Sequence, residues 1–173
     1  MSGTYCIPVS GLKEGVQSFE FRIGKEFFGR FEESEVKEGD LAVIVEAEKH
    51  SSHAGLNIHI SGKVMISCDR CLEYFAHPVE CRNNLLIKFG KLFDDSDPDI
   101  ITIPAGENEL DMAQYFYEYI MLALPIQKVH PANKNGKSTC DPEMIKKIKA
   151  HTVNDDENKD PRWDELKKLI HNN

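Results

Sequence analysis

The sequence has no hydrophobic run long enough to cross a bilayer. Its longest, "LAVIV" and "IMLALPI", fall far short of the roughly 20 apolar residues that a spanning helix needs. The opening "MSGTYCIPVSGLKEG" has no basic stretch followed by an apolar one, so no secretory signal is expected. There is no G-x-x-x-x-G-K-[ST], no G-x-G-x-x-G and no nucleophile elbow, which removes the common phosphate-cradling and acyl-transfer classes. Five cysteines is an odd number, and a closed disulfide framework leaves none over. Together these absences predict a cytoplasmic protein with reduced thiols and no membrane contact.

Positive charge is scarce in the first part of the chain. Residues 1–124 carry 11 Lys or Arg against 21 Asp or Glu, a net −10, whereas residues 125–173 carry 10 against 8, a net +2. Affinity for nucleic acid comes largely from neutralised phosphates, so the acidic body is a poor RNA binder. Contact with RNA is expected in the C-terminal third, or through a basic protein partner. At 173 residues, 40% of them apolar, the chain suits one α+β core over residues 1–151, with a linker and helix over 152–173.

The first half reads as strands. "TYCIPVSGL" and "GVQSFEFRI" are rich in β-branched and aromatic residues. In the second of these, Phe19, Phe21 and Ile23 alternate with Glu20 and Arg22. "KEFFGRFEE" reads as a short helix or as a loop anchored by its phenylalanines. "EGD" marks a turn before the strand "LAVIVEAEKH". Leu56, Ile58, Ile60, Val64 and Ile66 then alternate with polar residues, with Gly62 in step. A second alternation puts Phe75, Val79, Cys81, Leu85, Ile87 and Phe89 on one face, interrupted by His77 and Asn83. "FDDSDPD" is an acidic loop and "IITIP" a short strand. "ENELDMAQYFYEYIMLALP" reads as a helix with acidic residues near its start and an apolar stripe of Met112, Phe116, Ile120, Ala123 and Leu124. Asp141 or Thr139 is positioned to cap a helix "PEMIKKIKA". "VNDDENKD" is a hydrophilic linker, and "DPRWDELKKLI" a last helix whose Trp163 anchors it. The sheet is mostly antiparallel, curled toward a barrel and covered by the helix that ends at Pro125.

Between the two long alternations stands "SCDRCLEYF". Cys68 and Cys71 have the C-x-x-C spacing of one half of a tetrahedral zinc site, and His130 and Cys140 are candidates for the other half. Nine residues between that second pair is a wide spacing, and no glycine comes after Cys71 to ease a tight knuckle. A redox pair would need a thiolate stabilised by a helix N-terminus, and the residues after Cys71 read as turn and strand. Two plain reduced thiols at a hairpin end remain the third reading. Cys6 and Cys81 lie within strand patterns and read as core thiols. His50, His53 and His59 read as a solvated loop and strand face, and "EESE" as a solvated run.

The order of "GLKEG", "CDRCLE", "LDMAQYFYEYIMLALPIQKVHP", a later cysteine and "DPRWDELKKL" resembles the YceD-type family of large ribosomal RNA subunit accumulation proteins over nearly the whole chain. The resemblance implies a ribosome-biogenesis factor of bacteria or plastids with no enzymatic activity and no catalytic residues. It matches the family's paired cysteines to Cys68 and Cys71, and its later Cys or His positions to His130 and Cys140. This chain departs from the more cysteine-rich members in keeping a single cysteine in the later loop. Arg70, Lys128, Lys134, Lys137, Lys146, Lys147 and Lys149, with Arg162 and Trp163 in the tail, are the candidate contacts to RNA or a ribosomal protein. The rival readings are a thiol-dependent redox protein using Cys68 and Cys71, and a protein-only adaptor that captures a basic partner on its acidic face.

Overall fold

The computed structural model describes residues 5–51, 53–90, 100–104 and 107–152. Two long strands dominate it: β4 (His53–Ser67) and β5 (Tyr74–Phe89), in chain order after β1 (Cys6–Pro8), β2 (Gly15–Ile23), α1 (Lys25–Phe28) and β3 (Glu38–Lys49). Then come β6 (Ile100–Ile103), β7 (Glu109–Asp111), α2 (Ala113–Leu122) and α3 (Pro142–His151). β2-β3-β4-β5-β6 form one sheet, antiparallel except for the parallel β5–β6 pair, and β1 pairs with β7 in a separate two-stranded ladder. The architecture is α+β, with few helices. The sheet is open: among the described residues β2 and β6 do not pair, so the expected curl does not close into a barrel.

The period-2 pattern of β4 sets which face is buried. Leu56, Ile58, Ile60, Val64 and Ile66 are each at most 1% exposed. Across the ladder Ile58 faces Asn83, and Ile60 faces Cys81. β5 keeps its own pattern with Phe75, Val79, Leu85 and Ile87 buried, but Phe89, at the strand end, is exposed. Against this inner face lies α2, whose Met112, Phe116 and Ile120 are fully buried. Each such side chain is worth about 1.5–3 kcal/mol of apolar transfer, so the stripe is core packing. Pro125 lies just beyond the helix end. The phenylalanines of "KEFFGRF" are anchors: Phe27 and Phe28 are buried in one turn of helix, and the Phe31 ring stacks on Tyr117 at 4.0 Å and 11°.

Three local expectations are corrected. "EGD" is not a turn but the start of β3, with Gly39 paired to Val64. A Cβ there would sit 2.9 Å from the Phe28 ring and 3.1 Å from the Lys63 carbonyl, so this glycine serves close packing. The helix does not begin in "ENELD", because Glu109–Asp111 pair with Cys6–Pro8 as β7. Pairing with β1 outweighed local helix preference, and the Asp111 carboxylate instead accepts the Ala113 N–H at 2.9 Å. Cys6 is half-exposed and is not packed against the core, because β1 turns Ile7 inward and Cys6 away. The "FDDSDPD" loop, the linker and the last helix with Arg162 and Trp163 lie outside the described residues, as does nearly all of the 152–173 unit.

β3 and β4 approach most closely at Gly62. Its φ is +153°, and a Cβ there would lie 2.2 Å from the Asp40 carbonyl oxygen and 2.7 Å from the Leu41 Cα. Backbone cannot yield as a side chain can. Gly62→Ala is therefore expected to cost about 3 kcal/mol, the upper end of overpacking, in urea unfolding. Gly55→Ala, on the same strand with nothing within 4 Å of its Cβ position, is expected to leave the midpoint unchanged or raise it.

Candidate metal centre

Cys68 comes directly after the last residue of β4, in step with Ile66, so the strand's alternation turns its thiol inward, where it is 0% exposed. The next turn is closed by Leu72 N–H donating to the Cys68 carbonyl at 2.9 Å and Cys68 N–H donating to the Glu73 carbonyl at 3.0 Å. The chain reverses at Leu72, which has φ +64°. That is the left-handed position a glycine would hold at no cost, and Leu72 holds it at about 1–2 kcal/mol. The reversal brings Cys71 back beside Cys68 and leaves the Leu72 side chain 67% exposed.

The second pair arrives from beyond α2. There the chain runs past the cysteine turn and is clasped to it at two points. Asp69 N–H donates to the Lys128 carbonyl at 2.7 Å, and Lys128 N–H donates to the Asp69 carboxylate at 2.6 Å. Two residues on, the His130 ring packs on Phe75 with centroids 4.6 Å apart. The wide spacing to Cys140 is taken up by a small hairpin. Ala132 bridges Ser138, Asn133 Oδ1 accepts from the N–H groups of Asn135 and Lys137, and Thr139 Oγ1 donates to the Pro131 carbonyl at 2.7 Å. Cys140 thus returns to His130, and Asp141 caps α3 by accepting from Glu143 and Met144 N–H.

The ligand atoms of Cys68, Cys71, His130 and Cys140 all lie within 4.8 Å of one another. Cys68 and Cys140 sulfurs are 3.8 Å apart, and the Cys71 sulfur is 3.4 Å from His130 Nδ1. Sulfurs about 2.3 Å from a tetrahedral zinc lie about 3.8 Å from one another, so the spacing is compatible with such an ion. All three cysteines are buried, as in closed structural sites. Cys6 and Cys81 stand apart; the Cys81 thiol lies 3.8 Å from the Tyr119 carbonyl. The His50 and His53 rings lie 4.7 Å apart, tilted by 32°, at the β3–β4 turn and, with His59, belong to no metal-holding group among the described residues.

Burial pushes the Cys68 thiol up, but N–H groups of Cys71, Arg70 and His130 and the imidazole together outweigh it and bring it down to about 6. Cys71 moves the other way. Burial raises it, and the neighbouring Cys68 and Cys140 thiols add to the rise over the opposing backbone N–H groups of Asp141 and Glu73. The element after Cys71 is β5, so the pair does not open a helix of its own; at Cys68 the N–H groups of Cys71, Arg70 and His130 take that role, and at Cys71 the N–H of Asp141, the N-cap of α3, contributes.

Around this centre Arg70, Lys134, Lys137, Lys146, Lys147 and Lys149 are exposed. On α3 Met144 and Ile145 pack against the core, and the three lysines remain exposed. Lys128 differs: its ammonium pairs with Glu35 and is only 21% exposed. The three glutamates of "EESE" are exposed, Glu35 included, and only Ser34 is buried, donating to the Val36 carbonyl at 2.7 Å. Asp69, the residue that clasps the two loops, was visible in "CDRC", but nothing in the sequence tied its carboxylate to residue 128.

A fold that wraps an open sheet around one helix, with a buried Cys3His cluster at one end, defines a small scaffold stapled at a single point. Residues 56–170 match the family described as large ribosomal RNA subunit accumulation protein YceD. The chain belongs to that family, and the matched span contains all four clustered residues. No curated protein and no solved structure matches the chain. The family is described as an accumulation factor rather than an enzyme, and no helix among the described residues is long and apolar enough to cross a membrane.

Asp69→Ala removes a ligand-free part of the staple. It is expected to cost about 1 kcal/mol in chemical unfolding, the contribution of one exposed charge-assisted hydrogen bond. Asp69→Asn keeps an oxygen acceptor for Lys128 N–H and is expected to recover most of that loss.

Proposed function

We propose that this protein is a non-enzymatic, cytoplasmic ribosome-biogenesis factor that supports accumulation of large-subunit (23S) ribosomal RNA. In this reading it binds that RNA, or a ribosomal protein on it, through the basic surface around a structural zinc centre. The observation that carries the reading is the convergence of Cys68, Cys71, His130 and Cys140, which lie 59 to 72 residues apart across the two pairs. The zinc would hold the hairpin and α3, with Lys134, Lys137, Lys146, Lys147 and Lys149, against the turn that carries Arg70. Bound zinc supplies folding free energy here and no reaction chemistry. The chain's own residues do the remaining work: Asp69 positions the second loop, Asp141 caps the helix after Cys140, and the exposed cations meet phosphate. Arg162 and Trp163 extend the same surface in the proposed tail unit, 152–173.

Two rivals remain. The lowered Cys68 thiol fits a redox role, but burial of all three cysteines closes access to a substrate disulfide. The outer sheet face carries Glu20, Glu46, Glu48 and Glu80, which suits an adaptor for a basic protein. Crosslinking in cells with sequencing of the attached RNA tests the leading reading. Enrichment of large-subunit ribosomal RNA is expected, and crosslinks to protein alone would support the adaptor.

Zinc is tested by elemental analysis of protein purified without added metal or a histidine tag. About one equivalent per chain is expected from a single four-ligand site, lost in Cys140→Ser and kept in Cys81→Ser. A chelator is expected to lower the melting temperature of the wild type and not that of Cys140→Ser. Ligand thiols must shed protons, so affinity is expected to fall as pH falls. The fall steepens below about 6, where Cys68 itself begins to hold a proton.

A further inference from the structure

Tyr74, the first residue of β5, is 60% exposed on the outer sheet face, and its hydroxyl makes no hydrogen bond among the described residues. Across the ladder it faces Ser67, and the next outward residue on its own strand is Ala76; neither is large enough to cover the ring. Beside it lies an open hollow of about 370 Å³ lined by Lys37, Glu38, Met65 and Tyr74. Its walls offer an aromatic ring, a thioether, an alkyl stem ending in an ammonium, and a carboxylate already paired with Lys25 at 2.8 Å. The Lys37 ammonium donates to the Glu32 carbonyl at 3.0 Å and has two further hydrogens to offer. Arg70, in the turn just before Tyr74, has no ion pair among the described residues.

We propose that Tyr74 is a stacking platform for an unpaired nucleobase of RNA, seated in the hollow beside Met65, with Lys37 and Arg70 meeting the flanking phosphates. This deepens the RNA-binding reading above and rests on it. Stacking of a base on an exposed aromatic ring is tolerant of sequence and worth about 1–3 kcal/mol. It selects single strands, because a base inside an A-form duplex has no free face. A second hollow of about 410 Å³, farther along the same face and lined by Glu46, Asn57, His59 and Arg82 among others, has no Phe, Tyr or Trp ring, and its one imidazole, His59, lies 3.6 Å from the Glu80 carboxylate. Lys37 lines the Tyr74 hollow, and the carboxylate there, Glu38, is already paired with Lys25, which favours an RNA strand over a basic peptide.

The test uses the full chain as purified. Fluorescence anisotropy measures binding of a labelled oligouridine and of a blunt-ended RNA duplex. Tyr74→Ala is expected to weaken oligouridine binding about tenfold and to leave duplex binding unchanged, while Tyr74→Phe stays within about twofold of wild type. The ring is exposed, so all three proteins should melt alike. A photo-crosslinking residue at position 74 is expected to attach to RNA in cells. If the wild type binds oligouridine and Tyr74→Ala binds it equally well, the stacking proposal fails while the RNA reading stands. If the wild type binds neither RNA, both fail. Crosslinks from position 74 to protein alone also overturn the proposal.

Discussion

The register of the β4–β5 ladder is the constraint on which the rest of the structure depends. It runs from His53 opposite Lys88 to Ser67 opposite Tyr74. Side chains alternate between faces, so a slip of one residue would turn the whole apolar set outward. The same slip would turn the Cys68 thiol away from His130 and Cys140. Hydrophobic burial far from the centre therefore fixes its first ligand. On the other side of β4, Gly62 fixes the register with β3, since a side chain there would run into the backbone of Asp40 and Leu41. Core and centre are two consequences of one alternation.

The second pair of ligands depends on different physics. His130 and Cys140 lie in a stretch with almost no apolar burial of its own. Hydrogen bonds and turn geometry bring them in: the Asp69–Lys128 clasp, the Phe75 ring under His130, and the hairpin closed on Asn133. Such interactions are each worth about 1 kcal/mol net, so this half of the cluster is the weaker one. It is also the half that carries five of the six exposed cations around the centre, Lys134, Lys137, Lys146, Lys147 and Lys149 against Arg70. An acidic sheet and a basic appendage joined at one point keep the two signs apart, and the joint decides whether the cations present one surface.

Legibility divides along the same line. β2, β4, β5 and α2's stripe were readable because each repeats a period over many residues, and burial enforces it. The cysteine turn was readable from C-x-x-C spacing, and the resemblance to the family pointed to His130 and Cys140. Features that depend on tertiary pairing escaped. "ENELD" has helical preference, yet β1 recruited it as β7. Gly39 looked like punctuation and is a packing site under Phe28. Glu35 is exposed as expected, but its pairing with Lys128, far along the chain, was not visible. The absence of a glycine after Cys71 seemed to count against a knuckle, but the turn forms with leucine in the left-handed position.

That leucine is informative. A left-handed leucine whose side chain is 67% exposed loses conformational energy and gains little burial in return among the described residues. Glycine would relieve the backbone, and an asparagine would tolerate it while staying polar. Strain of this kind persists where surrounding contacts over-determine it, and here those contacts are the hydrogen bonds that close the cysteine turn. Leu72, Tyr74 and Arg70 then lie on or beside the turn that those hydrogen bonds close, at the end of the sheet where Cys68, Cys71, His130 and Cys140 converge. An apolar tip, an aromatic ring and a free guanidinium held on a rigid turn lose little entropy on binding. The same turn that positions Cys68 and Cys71 inward thus presents Leu72, Tyr74 and Arg70 outward.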